Sequence, residues 1–145
     1  MTNEVPVLIV CAPEFVPVYA KPGDAGADLR SVEKLTLKAG SRALVRTGVS
    51  IALPDGYVAL VHPRSGLAAK YGVTVLNTPG TVDAGYRGEI MVTLYNTDSE
   101  DFKIEVGDRI AQLLVQEVSR AKFVAVERLP DSSRGEQGFG STGAK

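Results

Sequence analysis

The chain has 145 residues, 44% of them hydrophobic and 23% charged, the proportions of an ordinary globular domain and not of a disordered or fibrous one. Lysine and arginine number 16 against 17 aspartates and glutamates, so at a net charge of -1 no global basic field draws in nucleic acid or an anionic membrane. One cysteine and one histidine exclude an internal disulfide and a Cys/His metal cluster.

A chain of this length buries roughly two thirds of its unfolded surface, enough for one core. Composition shifts only near Pro130, so residues 1–129 are expected as one domain and residues 130–145 as a flexible glycine-rich tail. Aliphatic and β-branched runs recur between Gly, Pro, Asp and Asn, at residues 5–10, 42–46, 57–62, 73–76, 89–96, 109–118 and 122–127. Turn signals at that spacing predict an all-β sandwich or barrel. The first run is interrupted by Pro6, follows an acidic segment and is far too short to span a bilayer, so neither an export signal nor an anchor is expected. A reducing cytoplasm suits the lone Cys11, read as a small buried hydrophobe. In the second run Arg42, Leu44 and Arg46 alternate with Ala43 and Val45, whereas Ile110 to Val115 (IAQLLV) is apolar on both faces. That pattern suggests burial against a second sheet and also against a neighbouring subunit. One short helix is expected, with Ser65 capping GLAAKY and Gly72 stopping it.

Several chemistries drop out. No lysine follows a glycine, so there is no Walker loop, and His62 alone cannot make HExxH. A Ser/His/Asp triad would have to recruit that histidine from within the apolar strand YVALVHP, where it reads as a strand residue beside Pro63. What remains is a set of polar clusters at strand ends and in loops: AGADLRS (25–31), PRSGLAAKYG (63–72), LNTPGTVDAGYRGEI (76–90), GDRIAQLLV (107–115) and the tail RGEQGFGSTGAK (134–145).

The residues of each cluster suggest a use. In PRSG, Arg64 offers a planar fork of donors, and Ser65 with the amides of Ser65 and Gly66 can meet phosphate oxygens where a helix begins. Read alone, this is also a plain helix start beside a surface arginine. The third cluster reads as a hairpin, a strand to Asn77, a Pro-Gly turn, a return through Thr81, Val82 and Asp83, and an outgoing strand from Glu89. Such a loop can enclose a flat base. Asp83 is either a turn aspartate or a carboxylate placed to take a proton from water, and Tyr86 is either a core aromatic or a wall of the site. Asp28 and Gln112 are polar residues among apolar ones and need partners, whether as ties between strands or as parts of a site. In the tail, glycines let the main chain approach a ligand, Arg134, Ser141 and Thr142 can bind phosphate oxygens, and Phe139 can stack on a base for roughly 1 to 3 kcal/mol.

Taken in order, the five clusters resemble the five motifs of the trimeric dUTP diphosphatases, the dUTPases, over residues 25–143. The resemblance implies a jelly-roll-like fold with one short helix, and hydrolysis of dUTP to dUMP and pyrophosphate. Mg²⁺ would be held mainly by substrate phosphates and water rather than by direct protein ligands. It implies Asp83 as the base, Asn77 and the main chain near Met91 as readers of uracil, and Thr81, Val82 and Tyr86 as walls around base and sugar. Arg64, Ser65, Gly66 and Gln112 would sit on the phosphates, Asp28 in the network of phosphates and metal waters, and Arg134, Phe139, Gly140, Ser141 and Thr142 in a closing lid. A homotrimer with sites shared between subunits is implied in the same way. Gln137 stands where the family commonly has glycine, and Val82 where a larger aliphatic is usual. A dCTP deaminase shares the fold but needs a glutamate to activate water at the base, and no glutamate precedes Tyr86 in the hairpin. A dUTP-sensing regulator is the remaining alternative.

Overall fold

The computed structural model describes residues 3–138, 140 and 143. Among them run β1 (Leu8–Val10), β2 (Ala27–Arg30), β3 (Leu35–Leu37), β4 (Arg42–Ala52), β5 (Tyr57–His62), α1 (Ser65–Tyr71), β6 (Val73–Val75), β7 (Gly80–Val82), β8 (Ile90–Asn96), β9 (Phe102–Ile104) and β10 (Arg109–Glu117). Two four-stranded sheets, ordered β1-β4-β8-β6 and β2-β10-β5-β7, make a jelly-roll-like sandwich, with β3 and β9 as a separate pair. Every pairing is antiparallel.

The core follows from period-two patterning. Along β4, Val45, Thr47, Val49 and Ile51 are buried, and they meet Val92 and Leu94 of β8 and Leu29, Ala59, Val61 and Leu113 of the other sheet. Polar groups that go inside are fully bonded. The Asn96 amide donates to the carbonyls of Leu37 (3.0 Å) and Glu100 (2.8 Å) and accepts the Asp98 N–H (2.9 Å), so it ties the β3/β9 connection to β8. Among the described residues no helix is long and apolar enough to cross a membrane.

Five expectations need correction. The helix begins at Ser65 itself, with Arg64 in the cap position and no side-chain cap bond, while Gly72 ends it in the left-handed conformation (φ 67°) as expected. Only residues 8–10 of the first apolar run form strand, and the second run continues to Ala52 through a bulge after Arg46.

The third cluster is not a hairpin. β6 pairs with β8 in one sheet and β7 with β5 in the other, so residues 76–79 cross between the sheets. A Pro-Gly pair signals a turn but does not say which strands it joins. Finally, residues 122–127 form no strand. Phe123, Val124 and Val126 are 94%, 73% and 61% exposed, because a strand exists only where another offers its edge, and within one chain none does.

Candidate active site

Two clefts hold nine of the site residues singled out by sequence, Ser65, Gly66 and the described residues of the tail lying outside their linings. The first, of about 370 Å³, lies where the chain crosses between sheets, and Asn77, Thr81, Val82, Asp83, Tyr86 and Met91 all line it. Gly80 makes the room. A Cβ there would meet Val61 Cβ at 3.2 Å and the Asn77 amide nitrogen at 3.5 Å. Val82 is buried while Asp83, one residue beyond the strand, is exposed, so β7 anchors the wall and releases the carboxylate at its end. The Tyr86 hydroxyl donates to the Glu89 carbonyl (2.8 Å), and a Cβ at Gly88 would lie 2.5 Å from that hydroxyl. Only glycine lets the loop fold so tightly over its own tyrosine.

The far end of this loop is held by charge. Arg46 of β4 donates from Nε and Nη2 to the two carboxylate oxygens of Glu89, each at 3.0 Å. The hydrogen bond from Arg46, with the Gly48 N–H in support, outweighs partial burial and holds the Glu89 carboxyl below its ordinary range.

The second cleft, of about 330 Å³, gathers Asp28, His62, Arg64, Arg109 and Gln112. Three neighbouring strands bring them there, since Gln112 of β10 stands opposite Asp28 of β2 on one side and opposite His62 of β5 on the other. Residues in direct register project from the same face. The Asp28 carboxylate, 13% exposed, lies 3.7 Å from Arg109 Nη1, and Arg64 Nη1 donates to the Arg109 carbonyl (3.2 Å). The amides of Ser65 and Gly66, in the first turn of α1, have no intrahelical acceptor, and space beside Gly66 is open. Gly26 closes the floor, where a Cβ would meet Gln112 Oε1 at 2.4 Å.

These clefts do not merge within one chain. Val61 lines the first and His62 the second, and successive strand residues point to opposite faces. Asp83 and Asn77 are therefore brought together, as are Asp28, Arg64 and Gln112, but one group is not brought to the other. Among the described residues of the tail, none lines either cleft. Arg134 turns onto its own segment, donating to the carbonyls of Gln137 (2.7 Å) and Gly138 (3.3 Å), and Gly140 is exposed with φ 80°. Phe139, Ser141 and Thr142 lie outside the described residues.

Sequence reasoning did not single out Gly26, Arg109, Glu89 or Arg46. Gly26 leaves a faint trace, as a glycine between alanines at a strand entrance. The Arg46–Glu89 pair, 43 residues apart, leaves none. Cys11 is half-buried against the core, and burial, with Glu14 nearby, pushes its thiol pKa up.

A two-sheet β fold with a nucleoside-sized pocket on one face and a polar, arginine-bearing cleft on the other defines a nucleotide-handling protein of jelly-roll type. Residues 14–143 match the model of the dUTPase family, to which the chain belongs. It is 62% identical over 144 residues to the deoxyuridine 5'-triphosphate nucleotidohydrolase of Leifsonia xyli subsp. xyli, covering 99% of this chain and 93% of that one. To the protein of the same name from Thermobifida fusca it is 64% identical over 129 residues, covering 88% and 72% of the two chains. Among solved structures it is similar to the Staphylococcus bacteriophage 80alpha dUTPase with dUPNHPP. The TM-score there is 0.88 at 28% identity, over 99% of this chain and 100% of that one.

Proposed function

We propose that the chain hydrolyses dUTP to dUMP and pyrophosphate, which keeps dUTP from polymerases and supplies dUMP for thymidylate synthesis. The observation that carries this reading is the first cleft, where an amide, a tyrosine and a carboxylate line about 370 Å³ in a chain of the dUTPase family. That volume suits a nucleoside. The Asn77 amide and the main chain at Met91 read the edge of uracil. A wall too close for a C5 methyl, built with Thr81 and Val82, turns thymine away. Cytosine leaves buried donors and acceptors mispaired, at about 1 to 3 kcal/mol each. Tyr86 packs under the sugar and leaves no room for a 2'-hydroxyl.

Arg64, Ser65, Gly66 and Gln112 take phosphate oxygens. Asp83 accepts the proton of a water aimed at the α-phosphorus, and such a base typically supplies a rate factor of roughly 10² to 10⁴. Two clefts on opposite faces of one sheet support a site assembled between chains, in a homotrimer whose members share three sites. Residues 1–129 form the core of each subunit and residues 130–145 a lid. Arg134, Gly140, Ser141 and Thr142 reach the phosphates, and Phe139 covers the base, excluding bulk water. A cytoplasmic setting keeps Cys11 reduced.

Among the described residues no three His, Cys, Asp or Glu side chains group closely enough to hold a metal, and Asp28 is engaged by Arg109. That donor set fits Mg²⁺ carried in by the triphosphate and faced by Asp28 through water. When bound, the ion screens the charge of the phosphates and of the leaving pyrophosphate.

The deciding experiment offers the purified protein dUTP, dCTP, dTTP and UTP with Mg²⁺ and follows pyrophosphate and ammonia. Pyrophosphate from dUTP alone is expected. Ammonia from dCTP would instead make it a deaminase, and binding of dUTP without turnover would make it a sensor.

A further inference from the structure

Between Arg46 and Val49 the β4–β8 register shifts, and Gly48 takes φ 69° at the bulge, where a Cβ would meet Val32 Cγ1 at 2.9 Å. The inward-facing Thr47 donates its hydroxyl to the Ile90 carbonyl within the bulge, and Arg46 before it stands on the exposed side opposite Met91. From there the guanidinium grips both oxygens of Glu89 at 3.0 Å, while the amide of Arg46 donates to Glu33 Oε1 (3.2 Å). Glu89 is thereby held by its side chain at one end of the 83–89 loop. Its main-chain carbonyl receives the Tyr86 hydroxyl at 2.8 Å. One residue thus connects the bulge to the tyrosine.

Isolated surface ion pairs contribute little. This one differs in two respects: it is a two-point fork, which fixes direction as well as distance, and the Glu89 side chain is only 22% exposed.

We propose that Arg46 and Glu89 are positioning residues for sugar selection, with the fork fixing the Glu89 main chain and, through it, the Tyr86 hydroxyl and ring. The inference rests on the placement of the deoxyribose against Tyr86 proposed above. Arg46 does not line the cleft and acts only through its partner. If the fork loosens, the ring moves off the loop and space opens for a ribose hydroxyl.

The test measures kcat and KM for dUTP and for UTP, with a thermal melt, in wild type, Glu89→Gln, Arg46→Lys, Tyr86→Phe and Glu89→Gln/Tyr86→Phe. Glu89→Gln and Arg46→Lys are each expected to lower the dUTP:UTP ratio of kcat/KM by about tenfold, the order by which a loosened pocket wall relaxes selection, mostly through KM. Arg46→Lys keeps the charge and loses only the fork, so it carries the test if Glu89→Gln fails to fold. The double variant should be no less selective than Tyr86→Phe, because both changes cut one chain of contacts. Folded variants that melt earlier but keep the ratio within about twofold of wild type would overturn the proposal, as would losses that simply add in the double variant. A wild-type enzyme that takes UTP as readily as dUTP would instead remove the sugar placement itself, and that result is read from wild type alone.

Discussion

Gly26→Ala places a methyl group 2.4 Å from Gln112 Oε1, 2.9 Å from its Cβ and 3.2 Å from its Cδ. The backbone at Gly26 is not in the positive-φ region, so alanine itself is allowed, and by lowering the entropy of the unfolded chain it would stabilise by about 0.4 to 1 kcal/mol. The contacts oppose this. The carboxamide can swing away, but Cβ is fixed to β10. Restoring an ordinary contact of 3.4 Å from 2.9 Å means moving β10 and β2 apart by about half an ångström. Overpacking of this kind costs about 1 to 3 kcal/mol, which outweighs the entropic gain. Gln112 is displaced within its cleft in either case, so with the phosphate role proposed for it kcat/KM for dUTP should fall roughly tenfold to a hundredfold, a tenfold loss for each 1.4 kcal/mol of contact removed. The assay is steady-state pyrophosphate release with a thermal melt, repeated in a Gln112→Ala background, which removes the carboxamide and leaves Cβ. There the second substitution should do less harm than in wild type, though still some. A Gly26→Ala enzyme with unchanged activity and melting, or one equally damaging in both backgrounds, would refute the reasoning.

Asp83→Asn should still bind dUTP, as followed by calorimetry, while kcat falls by about 10² or more; near-normal turnover would remove Asp83 as the base. Truncation after Leu129 should leave a folded, assembled core by circular dichroism and sedimentation with almost no turnover, and full activity in that variant would dispose of the lid. Glu89, held below its ordinary pKa of 4.5 by Arg46, adds stability that is present above the ordinary value and disappears as pH falls through the lowered one. Glu89→Gln should therefore melt earlier than wild type at pH 7, with the gap closing as pH drops well below 4.5. A gap that persists in acid would mean the carboxylate charge is not what matters.

Strands with many residues were legible. β5, β8 and β10 run for six to nine residues and carry apolar runs that declare themselves locally. β3 and β9, of three residues each, are too short to show any period and pair only with one another, while the short β7, read as the return of a hairpin, takes its place from the longer β5 beside it. The misread segment at 122–127 fails for the complementary reason: Phe123, Val124 and Val126 have strand character, but pairing is a property of two segments and only one is present. At the site, Asn77 to Met91 could be seen as one group because they are close in sequence and stay together in space. The row Asp28, Gln112, His62 could not be read as a row, since it depends on cross-strand register. Glu89 hid inside the third cluster, its partner Arg46 lying 43 residues away.

Val61 and His62 point to opposite sides of one strand, so in the shared-site trimer proposed above each subunit would carry halves of two different catalytic centres. A chain damaged in its nucleoside half would then still lend a sound phosphate half to a neighbour. Injury to one chain would be diluted across mixed assemblies, and the unit on which selection acts would be the assembly, not the polypeptide.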